Sequence, residues 1–478
     1  MKKNIKISLM GALMATALVA CEPSDFGDMN IDPNRPSVPV TSNLLTASQQ
    51  GLIGPITDSQ PTLYSQQISE KFYTENSRYG TAQFSFNGFY SGPLANLELI
   101  IQLNTDEATK AVAAQNGANN NQIAVARILK AFMYWHMTDR WGDIPYSQAL
   151  LGRENFTPVY DSQEAIYNSL FTELKEASAQ ITSGTIAGDM LLKGNLNLWK
   201  KFANTIRLNM ALRLSEVSPA KARTEFASAF ADGVISSNAD NVVFAFLADE
   251  NNDNPWEDRF QTRLDFNVSK PMVDLLKANN DPRLPIFADK AVLTQEYVGM
   301  PYGLEQGAAG AIPNGQVSFL GIAMRRQTSP GYLMTYSQTQ FMLAEGALRN
   351  WISGDAETFY NEAIKASFDQ YGVNSGTVHA DYIAQSGVAF DASKGLEQII
   401  TQKWVALFLN GYEAWAEWRR TGFPVLTPPA STISPSGIIP TRQGYPTTER
   451  DLNGINYNAA LQGLGGKDDL DGKVWWDK

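Results

Sequence analysis

Cysteine is all but missing from this chain. Cys21 is the only one in 478 residues, so neither an internal disulfide nor a cysteine-based metal cluster can form. Histidine is nearly as scarce: His136 and His379 are the only two, too few for a zinc site without cysteine. His136, among aromatics on a helix, is read as a hydrogen-bonded structural residue, and His379 sits in a connecting loop with no Cys, His or acidic partner at ligand spacing. Positive charge is in deficit, 38 Lys and Arg against 49 Asp and Glu, a formal net charge of −11 that argues against nucleic acid as a partner. The apolar run Ile7 to Ala20 is too short to span a bilayer as a helix. No Pro/Gly/Ser-rich linker or charge block divides the chain, which predicts one domain after the N-terminus. Also missing are the G-x-S-x-G, H-E-x-x-H, P-loop and dinucleotide-binding patterns. Asp469-Leu470-Asp471-Gly472 opens like a calcium loop, but the chain ends before its closing glutamate, so no metal is expected. Paired carboxylates for glycoside hydrolysis stay open, because their separation is three-dimensional.

What is present begins with ample material for a core: 44% apolar and 11% aromatic residues. At the N-terminus, Lys2, Lys3 and Lys6 precede the Ile7–Ala20 run, the shape of a secretory signal over residues 1–20. Its end, Leu18-Val19-Ala20-Cys21, resembles a bacterial lipobox and predicts a lipid on Cys21. Loss of the leader takes Lys and Arg from 38 to 35 against 49 acids, a net charge of −14. Glu22, Asp25 and Asp28 follow, then prolines at 33, 36 and 39, which forbid a helix. Residues 21–42 are expected to be an extended tether and 43–478 the folded domain.

Helical periodicity dominates the rest. Leu396, Ile399, Ile400, Trp404, Leu407 and Phe408 fall on one helical face; Asn410 and Gly411 supply a turn, and a second helix carries Tyr412, Trp415 and Ala416 to Gly422 and Pro424. Three tryptophans, Trp404, Trp415 and Trp418, make this αα-hairpin the segment on which other helices should pack. Short helical patterns cover 43–51 and 62–72, and long ones 90–114 and 122–141. A further helix over 161–181, capped by Asp161 or Ser162, pairs with one from 196 to 216. On the latter, Trp199, Phe202, Ala203, Ile206 and Met210 point one way, and Lys200, Lys201, Arg207 and Arg213 read as a solvated face. Tyr336 onward gives another pair, its second helix running to Phe368. The sum is a mainly α fold of about four irregular, tetratricopeptide-like helical hairpins.

Two stretches break the period. Phe72 to Tyr90 packs in Phe72, Tyr73, Tyr79, Phe84, Phe86, Phe89 and Tyr90, interleaved with Asn76, Arg78, Gln83 and Asn87. Such a mixture suits a pocket in which rings stack on sugar faces while amides and Arg78 meet hydroxyls. Gly233 to Gly331 holds only one expected helix, 269–278, and long loops in compact domains usually carry function. The ligand-binding face is therefore placed on these insertions, with Tyr73, Tyr79 and Phe84 on one side and Trp256, Arg259 and Tyr302 on the other.

Several segments carry a resemblance. QKWVALFLNGYEAWAEWRRTGFP (402–424), AFMYWHMTDRWGDIP (131–145), WKKFANTIRLNMALRLS (199–215), Asn280-Asp281-Pro282-Arg283-Leu284, and Tyr297, Gly299, Pro301 and Gly303 occur in consistent order. Together with Asn30-Ile31-Asp32-Pro33-Asn34 they resemble the SusD/RagB family of nutrient-binding lipoproteins. That resemblance implies a lipid-anchored protein on the outer face of the outer membrane. It would capture oligosaccharides for a SusC-like TonB-dependent transporter, need no cofactor and break no bond. A peptide-capturing lipoprotein of the same fold and a surface glycosidase remain the alternatives.

Overall fold

The structure, a computed structural model, describes residues 39–477, of which Thr41 onward belong to one compact unit. The expected leader, the lipidation at Cys21 and most of the tether lie outside the described residues; the first helix, Thr41–Gln50, starts slightly before the expected position 43. The fold is mainly α. Long helices pack on their neighbours in chain order: Ala95–Thr105, Asn119–Trp141, Gln163–Gln180 and Leu196–Arg213, then Tyr336–Leu348, Ala356–Gln370, Gly395–Ala406 and Gly411–Thr421. A helix at Pro219–Ala231, not foreseen from the sequence, packs on Leu196–Arg213. The described strands form three two-stranded antiparallel ladders, all short. Among the described residues no helix is long and apolar enough to cross a membrane.

Local chemistry explains the boundaries. Ser162 Oγ accepts from Ala165 N at 3.3 Å and opens the Gln163–Gln180 helix, so of the two expected caps Ser162 is used. Gly422, at φ 75°, closes Gly411–Thr421 with its N–H on Trp418 O at 2.7 Å. Gly411 serves a different purpose from the one expected. The left-handed turn residue is Leu409, whereas Gly411 starts the helix, and a Cβ there would meet Thr62 N at 2.3 Å. Close approach to the Ser59–Tyr64 helix requires the glycine.

Two expected helices change. The 90–114 pattern splits into a π-turn at Tyr90–Leu94 with Pro93 inside it, the helix Ala95–Thr105, and short turns after Asp106. The 62–72 pattern resolves into the end of Ser59–Tyr64 and a strand, Ile68–Glu70, because this segment pairs antiparallel with Phe266–Val268. Tertiary pairing overrides a short local period.

The core also corrects the solvated-face reading of the 196–213 helix, which holds for Lys200 and Lys201 and fails for the two arginines. Trp199, Phe202, Ala203, Ile206 and Met210 are buried as expected, but so are Arg207 and Arg213. Arg213 reaches Asp139 (3.3 Å), Glu413 (2.8 Å) and Glu417. Arg420 pairs with Glu345 (2.6 Å) and Glu417 (2.7 Å), and Lys403 lies 3.3 Å from Glu417. Burial works to raise the Glu417 carboxyl, yet the charges of Arg420, Lys403 and Arg213 outweigh it and hold the group well below the usual carboxylate range. Trp476 closes the network near the chain's end, donating Nε1–H to Asp139 at 2.8 Å. The Asn-Asp-Pro-Arg-Leu element makes a second lock. Arg283 is bidentate on Asp281 (2.9 and 2.6 Å) and donates onward to Ser367 and Gln402, tying the loop-rich middle to two long helices.

Candidate functional site

Pairing of Ile68–Glu70 with Phe266–Val268 sets Glu70 opposite Phe266. That register brings the loop after Glu70 beside the residues that follow the Pro255–Gln261 helix. Between them opens a cleft of about 460 Å³, lined by Glu70, Phe72, Tyr73, Asn76, Asp258, Arg259, Thr262, Arg263, Asp265 and Phe266.

Each wall has a local cause. Asn254 caps the Pro255–Gln261 helix, its side chain accepting from Trp256 N at 2.9 Å, and Pro255 pre-sets the first turn. That helix buries Trp256, 2% exposed, edge-on to Phe266 at 5.5 Å, and so presents Asp258 and Arg259 to the cleft. Arg259 lies over the Trp256 ring at 4.4 Å and donates to Thr57 O at 2.9 Å; burial lowers its pKa.

The opposite loop is anchored at Glu70, Lys71 and Tyr73. Glu70 Oε1 accepts from Asn76 Nδ2 at 3.0 Å and Oε2 from Ser77 N at 2.9 Å. Burial dominates and pushes this carboxyl up to about 7. Lys71 donates Nζ–H to the carbonyls of Ala309 (3.1 Å) and Ile312, and burial lowers its pKa. Tyr73 N–H meets Gln306 Oε1 at 2.6 Å, with the backbone at φ 55°. So fixed, Tyr73 stands 60% exposed, with the Arg263 guanidinium 4.7 Å from its ring centre. Arg263 in turn pairs with Asp265 at 2.9 Å.

The six residues singled out from the sequence thus fall into two groups. Tyr73 and Arg259 line the cleft, and Trp256 supports it from beneath. Tyr79, Phe84 and Tyr302 belong to a separate aromatic cluster with Tyr64, Tyr412 and Trp415. There the Tyr79 ring is buried edge-on to Tyr64 at 5.8 Å, and Tyr302 donates its hydroxyl to Leu63 O at 2.6 Å. Arg78, expected to meet hydroxyls, donates Nε–H to Ser431 O at 2.7 Å. Glu70, Asp258, Arg263 and Asp265 were not foreseen; their only signal is adjacency to Tyr73 and Arg259. His136 lies edge-on to Tyr412 at 4.6 Å and beside Arg140, and burial holds its pKa well down. His379 bonds to Asn361 O at 2.9 Å.

A larger groove of about 590 Å³ lies elsewhere, bounded by Phe86, Tyr90, Leu99, Phe156 and Leu452. Several of its polar groups are already matched within the protein: Glu98 with Lys130, Glu449 with the Tyr160 hydroxyl, and Asn453 with Pro158 O. It is more apolar than the Tyr73 cleft, which mixes an exposed ring with charged and amide groups.

Stacked helical hairpins with an open cleft on their loop insertions define a helical-repeat scaffold. The chain belongs to the SusD-like family described as starch-binding and associating with the outer membrane, whose pattern matches residues 33–446. Its fold is shared with a chitin-binding protein at 31% identity and TM-score 0.79, covering 91% of this chain and 99% of that one. A chitin-binding SusD homolog from Flavobacterium johnsoniae is 28% identical with TM-score 0.75, covering 92% and 97%. A SusD homolog from Bacteroides fragilis is 25% identical with TM-score 0.81, covering 92% and 100%. No curated protein matches the chain in sequence.

Proposed function

We propose that this protein is a cell-surface, lipid-anchored member of its family. It captures oligosaccharides in the Tyr73 cleft and passes them, uncleaved, to a SusC-like TonB-dependent transporter. The observation that carries the reading is the exposed Tyr73 ring set among Asn76, Arg259 and Arg263 on a scaffold shared over 91–92% of the chain with chitin-binding relatives. Stacking on the ring supplies affinity, and amide and guanidinium donors fix the hydroxyls. The cleft is open, so much of the ligand stays wet and affinity is modest. Oligomers of N-acetylglucosamine are the first ligands to test, given those relatives.

A hydrolase reading has one observation in its favour, the Glu70 carboxyl at about 7 inside the cleft. Geometry weighs against it. Both Glu70 oxygens already accept hydrogen bonds from their own loop, from Asn76 and Ser77, so this carboxyl is a latch and not a free acid.

Isothermal titration with N-acetylglucosamine, malto- and cello-oligosaccharides and short peptides, followed by product analysis, tests the proposal. Binding of a sugar without cleavage is expected. In Tyr73→Ala the affinity should fall roughly threefold to tenfold, the worth of one aromatic contact of about 0.5–1.5 kcal/mol. New products would make the chain an enzyme, and heat from peptides alone would make it a peptide-capturing protein.

A further inference from the structure

We propose that the groove bounded by Phe86, Tyr90, Leu99, Phe156 and Leu452 is a second ligand site, one for a neutral amphiphile with a hydroxylated head and an aliphatic tail. It shares no lining residue with the Tyr73 cleft and does not rest on the reading of that cleft.

The first observation is a change of polarity along one continuous hollow. The apolar groove, about 590 Å³, meets a polar basin of about 450 Å³ at Glu98, Gln102, Ala149 and Leu150, which line both. Each part has the size of a small-molecule site. One face of the Ala95–Thr105 helix forms the common wall, because Ala95, Glu98, Leu99 and Gln102 stand three or four positions apart. The Tyr90 ring of the groove meets the Tyr134 ring of the basin edge-on, with centres 6.2 Å apart. At the junction Leu150 is held at φ 65°, a left-handed backbone that a bulky side chain rarely adopts.

The second observation is an open donor in the basin. Tyr134 is 2% exposed, and its hydroxyl has no hydrogen-bond partner among the described residues. Unlike the Tyr64 and Tyr79 hydroxyls, which are sealed in the core, this one keeps contact with the basin. Burial raises its pKa, so it stays a neutral donor. The charges around it are matched: Lys130 with Glu98, and Arg127 bidentate on Glu173 at 2.7 and 2.8 Å. Glu154 is the one lining charge without an ion-pair partner among the described residues. It is exposed, so it repels an anionic head yet is too well solvated to recruit a cation. A head with hydroxyls and no charge suits this basin.

The third observation concerns the tail. Leu151, Phe156 and Leu452 edge the hollow with their side chains in water, Phe156 at 78% exposure. The Phe156 loop is fixed. Asn155 Oδ1 accepts from Thr157 N at 3.1 Å, while Asn453 and Asn456 donate to Pro158 O (2.8 Å) and Thr157 O (2.9 Å). An aliphatic chain laid along this ring and into the groove removes apolar surface from water at no cost in ordering the loop.

Isothermal titration of the folded chain with octyl glucoside below its micelle-forming concentration, beside glucose and octyl sulfate, tests the site. Octyl glucoside is expected to bind roughly tenfold or more tighter than glucose, and tighter than octyl sulfate. Phe156→Ser should weaken it roughly threefold or more, whereas Ile455→Ser, an exposed apolar position outside the hollow, should not. Tyr134→Phe, which removes only the hydroxyl, should weaken it roughly twofold to tenfold, the worth of one hydrogen bond. Silence with monomeric octyl glucoside, or binding unmoved by both Phe156→Ser and Tyr134→Phe, would overturn the site. Loss of binding in Tyr73→Ala alone would move the ligand to the other cleft, and tighter binding of octyl sulfate would overturn the neutral head. Association only with micelles or phosphatidylcholine vesicles would make this face a membrane contact. Self-association abolished by Phe156→Ser, in place of glucoside binding, would assign it to a second copy of the chain; either result overturns the proposal.

Discussion

Glu70 shows how a single residue can hold the loop that follows it and couple it to pH. Its carboxyl lies at about 7 in the folded chain against an ordinary 4.5. Between those values the folded state binds the proton more tightly than the unfolded state does. The stabilisation is therefore full below about pH 4.5 and is lost as pH rises through 7. Glu70→Gln keeps an acceptor for Ser77 N and cannot ionise. Chemical denaturation across pH 4 to 8 should show a smaller loss of stability with rising pH in this variant than in the parent; identical slopes would remove Glu70 from the account. Tyr73, the most exposed ring of its loop, was legible as a candidate because aromatics and amides alternate there. Tyr79 and Phe84 carry the same local signature yet turn inward, and only the packing of Tyr64, Tyr412 and Trp415 distinguishes them.

At the scale of elements, the Gly411–Thr421 helix is the keystone. Nearly every side chain on it is buried, charged ones included, and its acids meet Arg213 and Lys403 from two other helices. Removing one member leaves the rest uncompensated in a dry site, a loss of about 3–5 kcal/mol. Arg213→Met should therefore lower the denaturant midpoint sharply with little change in the slope. Lys110→Ala, which breaks only the solvent-exposed pair with Glu107, should cost less than about 1 kcal/mol. Comparable losses in both variants would show that the network does not stabilise the core. The hairpins themselves were legible because apolar residues recur every three or four positions. The burial of Arg207 and Arg213 was not, since a helical wheel assumes that charge faces water and their partners lie far away in the chain.

Across the whole molecule, the segment around Trp476 folds back onto the core. Trp476 is buried, bonds to Asp139 of the Asn119–Trp141 helix and lies under the Arg419 guanidinium at 4.6 Å. A chain ending at Gly472 loses that ring and opens a path for water to Asp139 and Arg213. Its melting temperature should fall by several degrees, with faster hydrogen exchange in 119–141 and 196–213. Unchanged exchange there would show that the terminal segment is only an outer cover.

What the sequence determined by itself is the helical scaffold, its capping and its family resemblance, because hydrophobic spacing, N-cap oxygens and turn glycines act within a few residues of one another. It also pointed to the insertions, and Tyr73 and Arg259 among them line one cleft. The cleft itself was decided only by tertiary structure. Glu70 and Asp265 share it because two three-residue strands pair across a long separation, and no local pattern records that pairing. The same holds for the charges. Whether an arginine is solvated or buried depends on what packs against it, and in this chain the deciding neighbours come from other hairpins.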